Sequence, residues 1–186
     1  HFMTRIISGK FRGKFIEAPL NLPVRPTTDF AKEALFNILN NHFYFDEIKV
    51  LDLFAGTGNL SYELASRGCS SITAVDRNPK CCAFIDKTSS SLGFDDVSNC
   101  YRGDALEYIK RDYQEYDLII ADPPYDCTEY QELVEQVFFK KLLAADGFLV
   151  IEHDRETDLS EIENFYELRK YGKVAFSFFT LSEETE

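Results

Sequence analysis

The tetrapeptide Asp122-Pro123-Pro124-Tyr125 places a carboxylate, a rigid backbone and an aromatic ring directly after the apolar run 116–121. The run is typical of a buried parallel strand, and its carboxyl end is where α/β proteins bind ligands. The Asp122 carboxylate and the Pro123 carbonyl can each accept one N–H from an amino group on a planar base. Tyr125 can stack on that base, a contact worth about 1–3 kcal/mol.

This pattern predicts methyl transfer to the exocyclic amine of a nucleobase. Such an amine is a poor nucleophile because its lone pair is delocalised into the ring. Two acceptors on its N–H groups bias the nitrogen toward tetrahedral geometry and turn the lone pair toward an incoming methyl group. Asp122, Pro123 and Tyr125 are therefore the predicted catalytic residues. The simpler alternative is a structural Pro-Pro turn with a surface tyrosine.

A glycine turn follows the apolar segment 50–53 and precedes a helical pattern. Gly56 and Gly58 allow positive φ and close approach of a ligand, and the next helix presents free N–H groups. The turn resembles a dinucleotide fingerprint, but Ser61 stands where that pattern has its third glycine. A nicotinamide oxidoreductase is therefore a distant alternative, since no proton donor is evident near the turn.

Acidic residues mark the ends of four successive predicted strands: Asp52, Asp76, Asp104 and Asp122. Asp76 lies 18 residues after Gly58, a spacing that suits a carboxylate binding both ribose hydroxyls. Taken alone, each acid is more readily explained as a helix cap or a surface charge. Four acids at consecutive strand ends favour a ligand-binding edge.

The elements that must position these residues alternate along the chain. Strands are predicted at 49–53, 72–75, 97–101, 117–121 and 148–152, with helices between them, which indicates a parallel sheet covered on both faces. A helix from Asp29 to Asn40 precedes them, with Thr28 or Asp29 as its N-cap. Its predicted apolar stripe is Phe30, Ala31, Ala34, Leu35, Ile38 and Leu39. The segments 165–170 and 173–180 are predicted to form a hairpin, which makes one strand antiparallel.

In combination, the glycine turn, Asp76, Gly103-Asp104-Ala105 and the tetrapeptide resemble the class I S-adenosylmethionine-dependent methyltransferases that modify exocyclic amines. The segments 5–14 and 24–29, with the helix that follows, are similar to the bacterial RsmD family of ribosomal RNA guanine-N2 methyltransferases. The resemblance covers Arg5 to about Phe179. It implies an α/β, Rossmann-like class I fold with a mostly parallel seven-stranded sheet, an antiparallel last strand and a preceding N-terminal β-hairpin.

The resemblance also implies an activity, a cofactor and site residues. The enzyme would transfer a methyl group from S-adenosyl-L-methionine to N2 of one guanine in small-subunit (16S) ribosomal RNA. Asp76 would bind the ribose, Asp104 would accept from the adenine amino group, and the segment 25–28 would close over the methionine carboxylate. The implied cofactor-binding residues are Asp52, Phe54, Ala55, Gly56, Gly58, Asp76, Arg77, Asp104, Ala105, Thr27 and Thr28.

The distribution of charge suggests where RNA would bind. A formal net charge of −12 is unexpected for a protein that binds phosphates. Residues 1–28, however, hold five basic residues against one acidic, a net charge of +4 that leaves −16 for the remaining 158. A hairpin turning near residues 11–13 is therefore predicted to contact RNA. Its RNA-binding residues would be Lys10, Arg12, Lys14 and Arg25. A basic edge strand that resists aggregation is the alternative.

Length and composition favour one methyltransferase domain over residues 1–186, with a basic arm at 3–28 and a catalytic core at 29–182. Neither a membrane span nor a signal peptide is evident, so a cytoplasmic location is expected. The five cysteines lack CxxC pairs and the three histidines are scattered, so no metal site is expected. The expected partner is ribosomal RNA or a partly assembled small ribosomal subunit, bound by a monomer.

Two other functions could use the same residues. An adenine-N6 methyltransferase acting on DNA or RNA would need the same tetrapeptide, and guanine is favoured over adenine by the resemblance alone. A non-catalytic S-adenosylmethionine-binding RNA module is the second alternative. The intact tetrapeptide argues against it, because a chain without catalytic activity has no chemical need of that sequence.

Overall fold

The computed structural model describes residues 2–24 and 26–181, so the predicted RNA-binding residue Arg25 lies outside the described part. Within that part the chain forms two β-sheets and five α-helices. The helices are α1 (Asp29–Asn40), α2 (Asn59–Ser66), α3 (Pro79–Ser91), α4 (Ala105–Arg111) and α5 (Tyr130–Phe139), with a 3₁₀ turn at Phe45–Glu47. The strands are β1 (Phe2–Arg5), β2 (Phe15–Ala18), β3 (Lys49–Leu53), β4 (Ser71–Asp76), β5 (Ser98–Arg102), β6 (Tyr116–Ala121), β7 (Leu143–Asp154), β8 (Phe165–Tyr171) and β9 (Val174–Phe179).

The larger sheet has seven strands in the order β5-β4-β3-β6-β7-β9-β8, and β1 and β2 form a separate antiparallel hairpin. All pairings in the larger sheet are parallel except those of β9, which runs antiparallel to both β7 and β8. The strand order reverses between β3 and β6, and ligands of open α/β sheets bind at such a switch point. The topology confirms the predicted fold class.

Alternate residues of the central strands pack into two hydrophobic layers. Val50, Ile120 and Val150 face the layer that contains α1, α2 and the β1–β2 hairpin. Leu51 and Ile119 face the opposite layer, formed by α4 and α5. Because both faces are covered, the strands are apolar along nearly their whole length, as expected for a parallel sheet. No helix in the described ranges 2–24 and 26–181 is long and apolar enough to cross a bilayer.

The buried face of α1 differs from the predicted stripe. The N-cap is confirmed, because Thr28 Oγ1 accepts a hydrogen bond from the Ala31 N–H (3.2 Å). Phe30, however, is 65% exposed, whereas Phe36 and the charged Lys32 are completely buried. Apolar periodicity could not predict this rotation, since Lys32 is buried through polar partners supplied by other elements.

The loop that connects β1 to β2 is docked on α2. The Lys10 N–H donates to the Ser66 carbonyl (2.7 Å) and the Phe11 N–H to Ser66 Oγ (2.9 Å). The Ile7 N–H donates to the Glu63 carboxylate (2.8 Å). Close approach depends on Gly9, whose φ is +89° and where a Cβ would lie 1.9 Å from the Ser66 carbonyl oxygen. The hairpin is therefore part of the folded body.

Gly9→Ala is expected to destabilise the protein more than Gly13→Ala. Both glycines have positive φ, +89° and +84°, which costs an L-residue about 1–2 kcal/mol. Only at Gly9 would the new methyl group overlap backbone atoms, and such overpacking adds about 1–3 kcal/mol. Urea denaturation would measure the difference, and amide hydrogen exchange at Lys10 and Phe11 would locate it. Equal losses in the two variants would show that the loop is not held by this contact.

Candidate active site

The carboxyl end of β3 presents a buried carboxyl group. Asp52 is 2% exposed, and its Oδ2 accepts a hydrogen bond from Ser61 Oγ (2.7 Å). Burial raises the pKa of Asp52 to about 7, while the Ser61 hydrogen bond opposes that rise. The serine that departs from the nicotinamide fingerprint therefore serves to hold Asp52.

The turn after β3 has the left-handed backbone that its glycines predict. φ is +57° at Phe54, +58° at Gly56 and +83° at Gly58. A Cβ at Gly58 would lie 2.6 Å from Tyr62 side-chain atoms, so a larger residue would displace the packing under the turn. The Ala55 N–H donates to the Val75 carbonyl (3.0 Å), which ties the turn to β4. The result is a rigid turn at the sheet edge whose backbone a ligand could approach closely; we call it the cradle.

Asp76 is oriented by this same turn. Its Oδ2 accepts from the Gly56 N–H and its Oδ1 from the Asn78 N–H, each at 2.9 Å. Because a carboxylate oxygen has two acceptor positions, both oxygens can still bind the hydroxyls of a ribose. Arg77 beside it is exposed. The structure therefore connects the predicted glycine turn and the predicted ribose-binding acid by a direct hydrogen bond.

Asp104 acts as a helix cap, as the simpler alternative proposed. Its Oδ2 accepts from the Glu107 N–H (3.0 Å) at the start of α4, and Ala105 is buried behind it. The Gly103 N–H donates to the Asp76 carbonyl (3.0 Å), which places this cap next to the end of β4. A cavity of about 410 Å³ opens beside Asp104. It is lined by Arg102, Gly103, Asp104, Glu107, Tyr108, Arg111 and Asp112.

The first two residues of the tetrapeptide are less accessible than the last two. The Asp122 N–H donates to the Leu53 carbonyl (3.3 Å); Asp122 is half-buried and Pro123 is buried, so this half is anchored beside β3. Pro124 is exposed and accepts at its carbonyl from the Cys127 N–H (2.9 Å), while Tyr125 is 91% exposed. The tyrosine thus matches the surface-tyrosine alternative, and its predicted stacking role would require a base at the surface of this turn.

A carboxyl group that the sequence pattern did not single out lies against Asp122. Glu152 is 7% exposed on β7, and it lies beside Asp122 because Ala121 of β6 pairs with Ile151 of β7. Burial, together with the nearby Glu152 and Asp52 carboxylates, raises the pKa of Asp122 well above its usual range. The sequence contained a signal for Glu152, because this acid lies at the end of the predicted strand 148–152, as the four other acids lie at the ends of theirs.

A chain of buried polar contacts connects Glu152 to the β1–β2 hairpin. Thr27 Oγ1 donates to Glu152 Oε1 (2.7 Å), and the Thr27 carbonyl accepts from Asn59 Nδ2 (3.0 Å). Asn59 Oδ1 in turn accepts from Lys32 Nζ (2.8 Å), which lies 4.0 Å from Glu63 Oε2. Glu63 holds the hairpin amides described above. Thr27 and Thr28 therefore use their hydroxyls within the protein, and a cofactor role for them stays a prediction.

The three described basic residues predicted to bind RNA, Lys10, Arg12 and Lys14, are all exposed on the hairpin or its loop. They lie on the sheet face that also carries α1 and α2. Among residues 2–24 and 26–181, no group of three or more His, Cys, Asp or Glu side chains has the arrangement of a metal site.

Comparison with known proteins gives consistent matches. A family model described as "Conserved hypothetical protein 95" matches residues 4–180. The chain is 36% identical over 160 residues to the "Putative rRNA methyltransferase YlbH" of Bacillus subtilis, covering 84% of this chain and 86% of that protein. It is 25% identical over 178 residues to "Ribosomal RNA small subunit methyltransferase D" of Escherichia coli, covering 94% and 88%. The solved structure of the "Putative methyltransferase yhhF" from Escherichia coli shares the fold, with a TM-score of 0.81, 24% identity and coverage of 96% and 97%.

Proposed function

The chain belongs to the conserved hypothetical protein 95 family of RsmD-type ribosomal RNA methyltransferases, and from this membership we propose that it methylates N2 of one guanine in small-subunit (16S) ribosomal RNA. The observation that carries the proposal is the position of Asp122. The backbone N–H of Asp122 donates to the Leu53 carbonyl, which fixes this residue to the end of β3, next to the glycine turn at the switch point of the sheet. A substrate amine there would lie beside the cofactor cradle.

The methyl donor of this family is S-adenosyl-L-methionine, and the residues at the sheet edge fit it. The left-handed turn supplies a backbone cradle at the sheet edge, and Asp76 is held with two oxygens fixed in orientation. When bound, the cofactor supplies an electrophilic methyl group on a sulfonium. The residues proposed to hold it are Asp52, Phe54, Ala55, Gly56, Gly58, Asp76, Arg77, Asp104 and Ala105, with Thr27 and Thr28 at the methionine end.

The protein's own contribution to the reaction is proposed to be positioning. Asp122 and the Pro123 carbonyl would accept the two N–H groups of the guanine amine, which directs its lone pair away from the ring. Holding the two reactants in the right geometry accelerates the reaction by several orders of magnitude, because their translational and rotational entropy is lost on binding and not in the chemical step. The target base would be extruded from its stack to reach the sheet edge.

Product analysis tests the proposal directly. Small ribosomal subunits that lack guanine-N2 methylation would be incubated with labelled S-adenosylmethionine, digested to nucleosides and examined by mass spectrometry. Recovery of N2-methylguanosine is the expected result. Recovery of N6-methyladenosine, or transfer to DNA instead of subunits, would contradict the guanine assignment and favour the adenine alternative. Absence of transfer to any nucleic acid would favour the non-catalytic module.

Reversing three charges on the hairpin is expected to weaken RNA binding. The triple variant Lys10→Glu, Arg12→Glu and Lys14→Glu should lose about three phosphate contacts. The fall of log affinity with log salt should therefore become shallower, its slope changing by about 2. Filter binding or fluorescence anisotropy over a salt series would measure it. The matched control reverses three exposed charges away from the hairpin, Lys141, Lys170 and Lys173. Equal effects in both variants would mean that net charge alone matters, and no effect in either would favour the aggregation-resistant edge strand.

A further inference from the structure

Two thiols are held in contact where α3 packs on the edge strand β5. The Sγ atoms of Cys82 on α3 and Cys100 on β5 are 2.6 Å apart, and both cysteines are free. A disulfide bond has an S–S length of about 2.05 Å, so the two sulfur atoms have to approach by less than about 1 Å to form one. In the part of the chain that the structure describes, no second pair of thiols is in such contact.

Hydrogen bonds of the surrounding backbone fix this contact. The Cys100 N–H donates to Asp86 Oδ1 (3.2 Å), one helical turn after Cys82 on α3. The Cys82 N–H donates to the Asn78 carbonyl (3.2 Å), and its Sγ donates to the Asp76 carbonyl (3.5 Å). Both thiols therefore lie on regular elements, and a bond between them requires no rearrangement of a loop.

The two thiols differ in access to solvent. Cys100 is half-buried, whereas Cys82 is 8% exposed, so a dissolved oxidant reaches Cys100 first. Burial raises the pKa of both thiols, so their oxidation is slower than that of an exposed cysteine. The hydrogen bond from Cys100 opposes that rise in the pKa of Cys82, which favours Cys82 as the thiolate that attacks second.

We propose that Cys82 and Cys100 form a redox modification site, at which a small-molecule disulfide such as oxidised glutathione reversibly links α3 to β5. Cys100 attacks one sulfur of the oxidant and releases one thiol, which leaves a mixed disulfide. Cys82 then attacks the Cys100 sulfur and releases the second thiol. The protein loses two electrons and two protons, and the oxidant is thereby reduced to its two thiols. An excess of a small thiol reverses both steps.

The link would join the two elements that flank the proposed adenosine site. Asp76 ends β4 directly before the turn into α3, and Asp104 follows β5. The Gly103 N–H already connects these two segments by donating to the Asp76 carbonyl (3.0 Å). A covalent bond between Cys82 and Cys100 would therefore fix the segments that carry both acids. The modification requires only the two thiols, so it does not depend on which base the protein methylates.

Peptide mapping tests the proposal. The full-length protein would be incubated with oxidised glutathione, its remaining free thiols would be alkylated, and the unreduced chain would be digested with trypsin. Trypsin places Cys82 on peptide 81–87 and Cys100 on peptide 88–102. The expected product is a joined pair of these peptides that separates on reduction. Glutathione adducts on the separate peptides, without a joined pair, would overturn the proposal.

Three serine variants identify the bonded thiols. Cys82→Ser and Cys100→Ser should each abolish the joined pair, whereas Cys81→Ser, which removes the neighbouring thiol in the same peptide, should keep it. Cys127 is half-buried and should carry only a glutathione adduct. A joined pair that persists in Cys82→Ser would identify Cys81 as the partner, and a dimer on non-reducing electrophoresis would show a bond between two chains. Either result contradicts the assignment.

A second readout tests whether the native fold accommodates the bond. Linking positions 82 and 100 restricts the unfolded chain, so the urea midpoint of the oxidised wild type should lie above that of the reduced protein. Cys82→Ser treated with the same oxidant should show no such rise. An unchanged or lower midpoint in the oxidised wild type would mean that the bond distorts the fold, and the proposed site would then be wrong. Because no methyl transfer is measured, failure of the proposed function would leave these results unaffected.

Discussion

Asp122→Asn is expected to slow methyl transfer about 10²–10³-fold while leaving S-adenosylmethionine binding intact. Asparagine has nearly the same shape as aspartate but replaces one acceptor oxygen with a donor, so it cannot accept from the amine as a carboxylate does. Loss of one preorganised hydrogen-bonding group of this kind reduces kcat by about 10²–10³-fold. Single-turnover transfer to small subunits would measure the rate, and calorimetry would measure cofactor affinity. Turnover within tenfold of wild type would show that the assigned role is wrong.

Misfolding would not account for such a loss. The raised pKa of Asp122 means that its charge is unfavourable in the folded protein, so removing that charge should preserve or increase stability above neutral pH. Asp76→Ala is the reciprocal variant and should weaken cofactor binding, because it also removes the acceptor that orients the Gly56 N–H. The exposed Asp95→Ala is the control for this change. If Asp122→Asn and Asp76→Ala showed the same defect, Asp122 would not act on the substrate alone and Asp76 on the cofactor alone.

Glu63→Ala is expected to cost about 3–5 kcal/mol of folding free energy, the scale of removing one partner from a buried ion pair. Glu63 is completely buried on α2 and binds Arg67 Nη2 at 2.9 Å as well as the N–H groups of Ile7 and Ser8. Its removal would leave Lys32 buried without its carboxylate. Urea denaturation would measure the loss, and hydrogen exchange at Ile7 and Ser8 would show whether the hairpin detaches.

Two further variants make this prediction specific. Glu33→Ala removes an exposed carboxylate from α1 and should change stability by less than about 0.5 kcal/mol. Replacing both buried charges with apolar residues, Glu63→Leu with Lys32→Met, should recover part of the loss, because neither charge is then left alone. A double variant that loses the sum of the two single losses would mean that the two side chains do not interact.

Residues close together in the chain could be predicted from sequence because their structure depends on local chemistry. The bounds of α1 and β6, the left-handed turn at Gly56 and Gly58, and the Thr28 cap all follow from apolar periodicity, glycine and capping preferences within a few residues. The antiparallel β9 followed from the short connection after Tyr171. These elements were sufficient to identify the fold class and the edge of the sheet that carries the site.

Contacts between distant segments were decided by the tertiary structure. Glu152 meets Asp122 because β6 and β7 pair in one register, and Lys32 is buried because Asn59 and Glu63 arrive from α2. Each of these contacts joins residues about 30 positions apart, and the hairpin docks on α2 across more than 50. No local preference encodes such pairings, since a buried polar group is stabilised only by the partner that the fold brings to it. The chain's own residues thus determined which edge could bind a methyl donor, and only the packed sheet determined which carboxyl group lies beside Asp122.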